Sequence, residues 1–218
     1  MRPRLEILPP AQRRLWLALA PVAKDFVLYG GTAVALHLGH RQSVDFDFFS
    51  SKPVDSDALI GRQPRLARGK SVQNAHDTWS VVIDGVKLSF FGGLKTGRVE
   101  RPDVSDDGVL RIAGLRDLLA RKLFVLQKRV DPKDYLDIAA MLDAGLDLPQ
   151  GLADARAIHG PERAHAISIV KGLSDVANAE LRRALSDRIK RLLLTACEDF
   201  ARNPGLPKSR LQAKTLDA

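Results

Sequence analysis

The stretch "YGGTAVALHLGHRQSVDFDFF", Tyr29 to Phe49, decides the fold. Its first half continues a short apolar run, Phe26 to Tyr29, into Gly30-Gly31-Thr32. An apolar segment follows that Gly39 ends, so the pattern predicts a strand, a glycine turn and a short helix. Glycines at such a joint let the backbone approach a ligand closely. The helix mouth offers free N–H groups and partial positive charge, which suit a phosphate, and the Thr32 hydroxyl adds a donor. A plain strand–turn–helix joint with Thr32 as N-cap is the competing explanation. In the second half, "RQSVDFDFF", side chains alternate between faces. Val44, Phe46 and Phe48 fall on one side and Ser43, Asp45 and Asp47 on the other, joined by Arg41 if the strand starts early. An amphipathic strand with a solvated face would look similar, but aspartate disfavours strands and neighbouring carboxylates repel. A divalent cation relieves that repulsion, and hard oxygen donors suit Mg²⁺, which takes its remaining ligands from water and phosphate.

Outward from this stretch, residues 11–24 carry apolar positions at helical spacing, and residues 55–63 form a helix capped by Asp55 or Ser56. "WSVVIDGVKLSFFGG" is a hairpin whose Asp84-Gly85 pair fits a type I′ turn. From Ile112 on, the period is helical, with helices expected at 114–129, 132–144, 149–158, 161–173 and 177–202. In the last, Leu181, Leu185, Ile189, Leu192 and Ala196 line one face. The tail after Asn203 is expected to fray.

The chain has 218 residues, 45% hydrophobic and 28% charged, the balance of a globular protein able to bury a core. Its single cysteine, Cys197, rules out an internal disulfide and points to a reducing compartment. No apolar run approaches the ~20 residues that cross a bilayer, and "MRPRLEILPPAQRRL" lacks a signal-peptide core; a cytoplasmic location without membrane contact is the expectation. The net charge of +8 favours an anionic partner or substrate. The five histidines lack metal-ligand spacing, and Trp16, Trp79 and Cys197 fit core positions.

Two residues of the helical half stand out. Lys122 falls inside the stripe Leu115, Leu118, Leu119, Leu123 and Leu126. It either snorkels to water or points at the carboxylates of the Asp-Phe-Asp strand and at a triphosphate. Asp131-Pro132 opens a helix and sets Asp134 in its first turn, where a carboxylate complements the helix dipole.

"GGT" at a strand–helix joint followed by "DFD" on the next strand resembles the polymerase β-like nucleotidyltransferases. The longer stretch, with Lys122 and the "KDYLD" segment, resembles the AbiEii/AbiGii-type members, many of them toxins of toxin–antitoxin systems. The resemblance covers roughly residues 25–145. It implies an α+β fold: a mixed-sheet nucleotidyltransferase core over residues 1–110, then a helical domain over 111–218 that completes the site. It also implies Mg²⁺ at Asp45 and Asp47, catalytic roles for these with Lys122 and Asp134, and a phosphate seat at Gly30, Gly31, Thr32, Arg41 and Ser43. The reaction would move an NMP from an NTP to an acceptor hydroxyl, either the 3′ end of a tRNA, as in toxin relatives, or a protein side chain, with RNA favoured by charge and an antitoxin as protein partner. The alternative is an inactive module of the same fold that binds RNA or a protein. One departure stands out. Such enzymes commonly set a third carboxylate on a neighbouring strand, and the polar face of "VKLSFF" offers Lys87 and Ser89 instead.

Overall fold

Residues 1–216 are described by the computed structural model. They divide into two units: Met1–Gly114 together with the segment from Ala213, and Leu115–Gln212.

The first unit is built on a seven-stranded mixed sheet. Its strands are β1 (Val27–Tyr29), β2 (Asp45–Phe49), β3 (Lys70–Ala75), β4 (Thr78–Ile83), β5 (Val86–Phe91), β6 (Asp103–Val104) and β7 (Arg111–Ile112), in the order β3-β4-β5-β2-β1-β7-β6. β2 runs antiparallel to β1 and parallel to β5. The β4–β5 turn takes positive φ at both Asp84 and Gly85, 51° and 78°, as a type I′ turn requires. Three helices belong here: α1 (Pro10–Leu15), α2 (Gly30–Leu38) and α3 (Ser56–Arg62). α2 stops at Gly39, whose φ of +66° is the left-handed C-cap that glycine adopts without strain. Asp55 caps α3 by accepting from the Ala58 amide. The helix expected over 11–24 is shorter, because α1 gives way to 3₁₀ turns ahead of Pro21, which cannot continue a helix. β3 has no apolar signal; all six of its residues are exposed.

The alternation in β2 sorts the sheet's faces. Phe46 and Phe48 are fully buried, and Phe48 stacks on Phe90 at 5.2 Å, which in turn stacks on Trp79 at 5.6 Å. Such ring pairs add about 0.5–1.5 kcal/mol each beyond the burial of their area. Val44 is a correction to the expected face. It precedes the strand and is 54% exposed, because pairing begins only at Asp45. The opposite face holds Asp45, Asp47 and Phe49, and Phe49 meets Tyr29 on one side and Phe91 on the other.

The second unit consists of α4 (Leu115–Val125), α5 (Pro132–Asp143), α6 (Leu148–His159), α7 (Ala166–Ser174), α8 (Ala179–Ala184) and α9 (Asp187–Arg202). The single helix expected over 177–202 is two. Leu185 turns extended, and Ser186 caps a new helix by accepting from the Ile189 amide at 3.4 Å. The restart shifts the buried stripe of α9 to Leu193, Cys197 and Phe200. The tail does not fray as expected: Ser209 Oγ donates to Asp154 at 2.5 Å, Ala213 bridges Arg98, and Leu216 is fully buried.

Candidate active site

Tyr29 ends β1 extended, and the chain enters α2 through Gly30 at φ +73°. A Cβ at Gly30 would run into the Asp47 carboxylate, and one at Gly31 into the Arg41 guanidinium, with Ser43 Oγ at 3.2 Å. The two missing side chains thus leave room for a carboxylate and a guanidinium against the helix mouth. Arg41 and Ser43 reach this place from the loop between α2 and β2, not from the strand. The Thr32 hydroxyl, 1% exposed, donates its proton to the backbone carbonyl of Asp45. It therefore ties the first turn of α2 to the start of the carboxylate strand, and the proton expected to reach a phosphate is spent there. Gly30, Gly31, Thr32, Arg41, Ser43, Asp45 and Asp47 thus lie together in one unit.

Strand register defines what surrounds the aspartates. Asp45 pairs with Lys87 on β5; Asp47 pairs with Tyr29 on β1 and with Ser89 on β5, which pairs in turn with Ser80 on β4. Residues paired across neighbouring strands share a face, so Lys87 and Ser89 stand on the aspartate face. Ser80 and Ser89 are both 1% exposed, and neither hydroxyl has a hydrogen-bond partner among the described residues. Lys87 is half-buried, and the described residues offer it no ion pair. No group of three or more His, Cys, Asp or Glu side chains that could hold a metal occurs among the described residues. Two strand carboxylates beside an orphaned hydroxyl are a hard-oxygen donor set that fits a Mg²⁺ ion completed by water and phosphate oxygens.

In the second unit, Asp131 caps α5 and accepts from the Lys133 amide at 3.0 Å, with Pro132 at the first helical position. Lys122 Nζ on α4 lies 2.7 Å from Asp134 and 2.6 Å from Asp137, and Arg129 Nε adds a bond to the far oxygen of Asp134 at 3.0 Å. Lys122 is 12% exposed and both aspartates 1% or less. The lysine neither snorkels nor stands alone; its charge is matched inside the unit, as a buried ammonium requires. Sequence inspection missed Asp137 as a partner, although its i+3 spacing from Asp134 puts both on one helix face.

Other polar residues serve the fold. His37 bonds the Ala113 carbonyl at 2.9 Å, and burial lowers its pKa. His159 stacks on Phe124 with ring centroids 3.8 Å apart, and burial pushes its pKa down to about 3. Burial pushes the Cys197 thiol up to about 11, so it is an inert core group. Trp16 and Trp79 are buried, and Trp16 Nε1 donates to Asp107 at 2.6 Å.

Comparison with known proteins agrees with this geometry. A crystal structure of an H. pylori protein assigned as a nucleotidyltransferase superposes with a TM-score of 0.53, at 17% identity, covering 87% of this chain and 92% of that one. Its fold is the one described above. An uncharacterized protein of Aquifex aeolicus (strain VF5) is 35% identical over 119 residues; the match takes in 54% of this chain and 57% of the relative's length. Residues 14–203 match the family described as nucleotidyl transferase AbiEii toxin, type IV TA system. With nearly the whole chain inside that match, and the Gly-Gly-Thr turn set against the Asp-Phe-Asp strand, the protein belongs to the AbiEii nucleotidyltransferase toxin family.

Proposed function

We propose that the protein transfers a nucleotidyl group from an NTP to an acceptor hydroxyl, with Mg²⁺ held by Asp45 and Asp47. The observation that carries this is the close seat at the mouth of α2, where Gly30 and Gly31 leave room for Asp47 and Arg41. Backbone N–H groups at a helix N-terminus bind phosphate, and Arg41 and Ser43 add a guanidinium and a hydroxyl beside them. Bound Mg²⁺ would supply charge neutralisation at the phosphates, the main need of phosphoryl-type transfer. The acceptor oxygen forms a bond to the α-phosphorus as the bond to the β-phosphate bridging oxygen breaks. Pyrophosphate leaves, and the acceptor proton passes to solvent. Thr32 fixes the Asp45 backbone through its hydrogen bond. Within the second unit, Lys122 and Asp134 form their own ion pair. Both oxygens of Asp134 are already engaged by Lys122 and Arg129, which suits holding the lysine in place more than taking up a proton.

The net charge of +8 supports RNA as acceptor, with a tRNA 3′ end as the specific choice. The family's description supports a cognate antitoxin as protein partner. No helix among the described residues is long and apolar enough to cross a membrane. A second reading, a catalytically silent module that binds RNA, is favoured by Ser89 standing beside Asp47 where a further acid is common. Incubation with Mg²⁺, each α-labelled NTP and total tRNA, with Asp45→Ala in parallel, tests the choice. Label on RNA that disappears in Asp45→Ala is the expected result. Absence of label with every NTP overturns transfer to RNA, and salt-sensitive RNA retention without label establishes the binding module.

A further inference from the structure

The aspartate face carries a positive group that the proposed reaction has not used. Lys87 is paired in register with Asp45, on the same face, across adjacent strands that lie about 5 Å apart. Its chain neighbours on β5 confirm the facing. Leu88 and Phe90 are buried on the opposite side, where Phe90 stacks on Phe48, while Phe91 meets Phe49 on the aspartate side. The Lys87 side chain has no hydrogen bond or ion pair among the described residues. Two residues on, Ser89 lies directly across from Asp47, 1% exposed, with an unpartnered hydroxyl. A buried hydroxyl without a partner costs about 1–3 kcal/mol, and the chain carries a second beside it in Ser80. Such orphaned oxygens next to a carboxylate mark a place completed by something the chain does not supply.

Charge then limits what that can be. The strand positions around the site contribute two carboxylates, one ammonium and neutral hydroxyls, and the Arg41 guanidinium over Gly31 brings the formal balance to zero. One divalent cation already makes it positive. A second would meet the first cation and Lys87 with no further carboxylate to offset either. We propose that Asp45 and Asp47 hold a single divalent cation and that the Lys87 ammonium occupies the electrostatic role of a second one, neutralising substrate phosphate beside Asp45. Ser89 then contributes a hydroxyl to the hydration shell of the bound cation and not charge. This rests on the assignment of Asp45 and Asp47 as metal ligands.

Titration of the full chain with Mn²⁺ alone, followed by electron paramagnetic resonance of the free ion, separates the two claims. The unmodified protein binds one Mn²⁺ per chain. Lys87→Gln keeps that stoichiometry and tightens binding about tenfold, the effect of removing a positive charge a few ångströms from the ion. Lys87→Glu, which adds the missing carboxylate at a half-buried position, raises the stoichiometry to two. Two equally tight ions on the unmodified chain, or an affinity unmoved in Lys87→Gln, overturn the role of Lys87 alone. No bound Mn²⁺ in either the unmodified chain or Lys87→Gln overturns the metal assignment itself. Circular dichroism of each variant at the titration temperature confirms that the chain titrated is folded.

Discussion

Single residues carry two separable demands at Gly30 and Gly31. Gly30 sits at φ +73°, a conformation that costs an L-residue roughly 1–2 kcal/mol, and its missing Cβ is the space against the Asp47 carboxylate. Gly31 has no positive φ, and the first group a Cβ there would meet is the flexible end of Arg41. Gly30→Ala is therefore expected to lower both stability and transfer, with Tm falling by roughly 4 °C per kcal/mol in a unit of this size. Gly31→Ala is expected to leave Tm within about 2 °C but to cost tenfold or more in transfer, because a displaced guanidinium no longer seats the phosphate. A thermal scan beside the labelled-NTP assay reads both. Full transfer by Gly31→Ala would remove the phosphate seat from the proposal. The sequence made these glycines legible and singled out Lys122, but not its ion pairs with Asp134 and Asp137. It placed Lys87 on the polar face of its strand and Asp137 in the KDYLD segment but gave neither a role, because a lysine on a half-buried strand and an aspartate inside a helix are common on solvated faces.

At the scale of elements, strong periodicity and caps were enough to place α2, α3, α5 and the β4–β5 hairpin. Elements without an apolar period escaped. β3 is exposed throughout, Val72 included, and exists because its backbone pairs with β4, with a register shift between Ser71 and Gln73. The break at Leu185 escaped for the opposite reason: apolar spacing runs across it, and only the Ser186 cap betrays the restart. The contact between α4 and α6 carries its own pH dependence. His159 lies flat on Phe124 with its Nε2 buried and without a partner among the described residues. Its folded pKa of about 3 lies below the ordinary 6.5, so the folded state holds the neutral ring while the unfolded chain protonates. The stabilisation is complete above pH 6.5 and is lost as pH falls towards 3. By pH 5 the loss from this group is roughly 2 kcal/mol. His159→Phe keeps an aromatic partner for Phe124 and removes the proton site, so urea denaturation at pH 7 and pH 5 should show a smaller difference than in the unmodified chain. An identical difference would place the acid sensitivity elsewhere, with buried His37 the next group to test.

For the whole molecule, chain order and unit order do not coincide. The segment from Ala213 belongs to the first unit: Ala213 pairs with Arg98, and Leu216 is fully buried. Burying a leucine contributes about 1.5–3 kcal/mol. Ending the chain at Gln212 is thus expected to destabilise the first unit by about that amount, read as a lower midpoint in thermal unfolding. An unchanged midpoint would make the tail dispensable. Local sequence marked none of this, since "LQAKTLDA" has neither period nor cap. What the sequence by itself determined was the chemistry available: glycines at a helix mouth, carboxylates alternating on a strand, a lysine inside an apolar stripe. Backbone geometry, steric permission and side-chain alternation are properties of a few consecutive residues. Only the tertiary structure decided the company each group keeps. It set Lys87 beside Asp45 and Ser89 beside Asp47, closed Lys122 between Asp134 and Asp137, and brought Arg41 over Gly31. Those pairings follow from strand register and helix packing, which are fixed by burial summed over segments far apart in the chain.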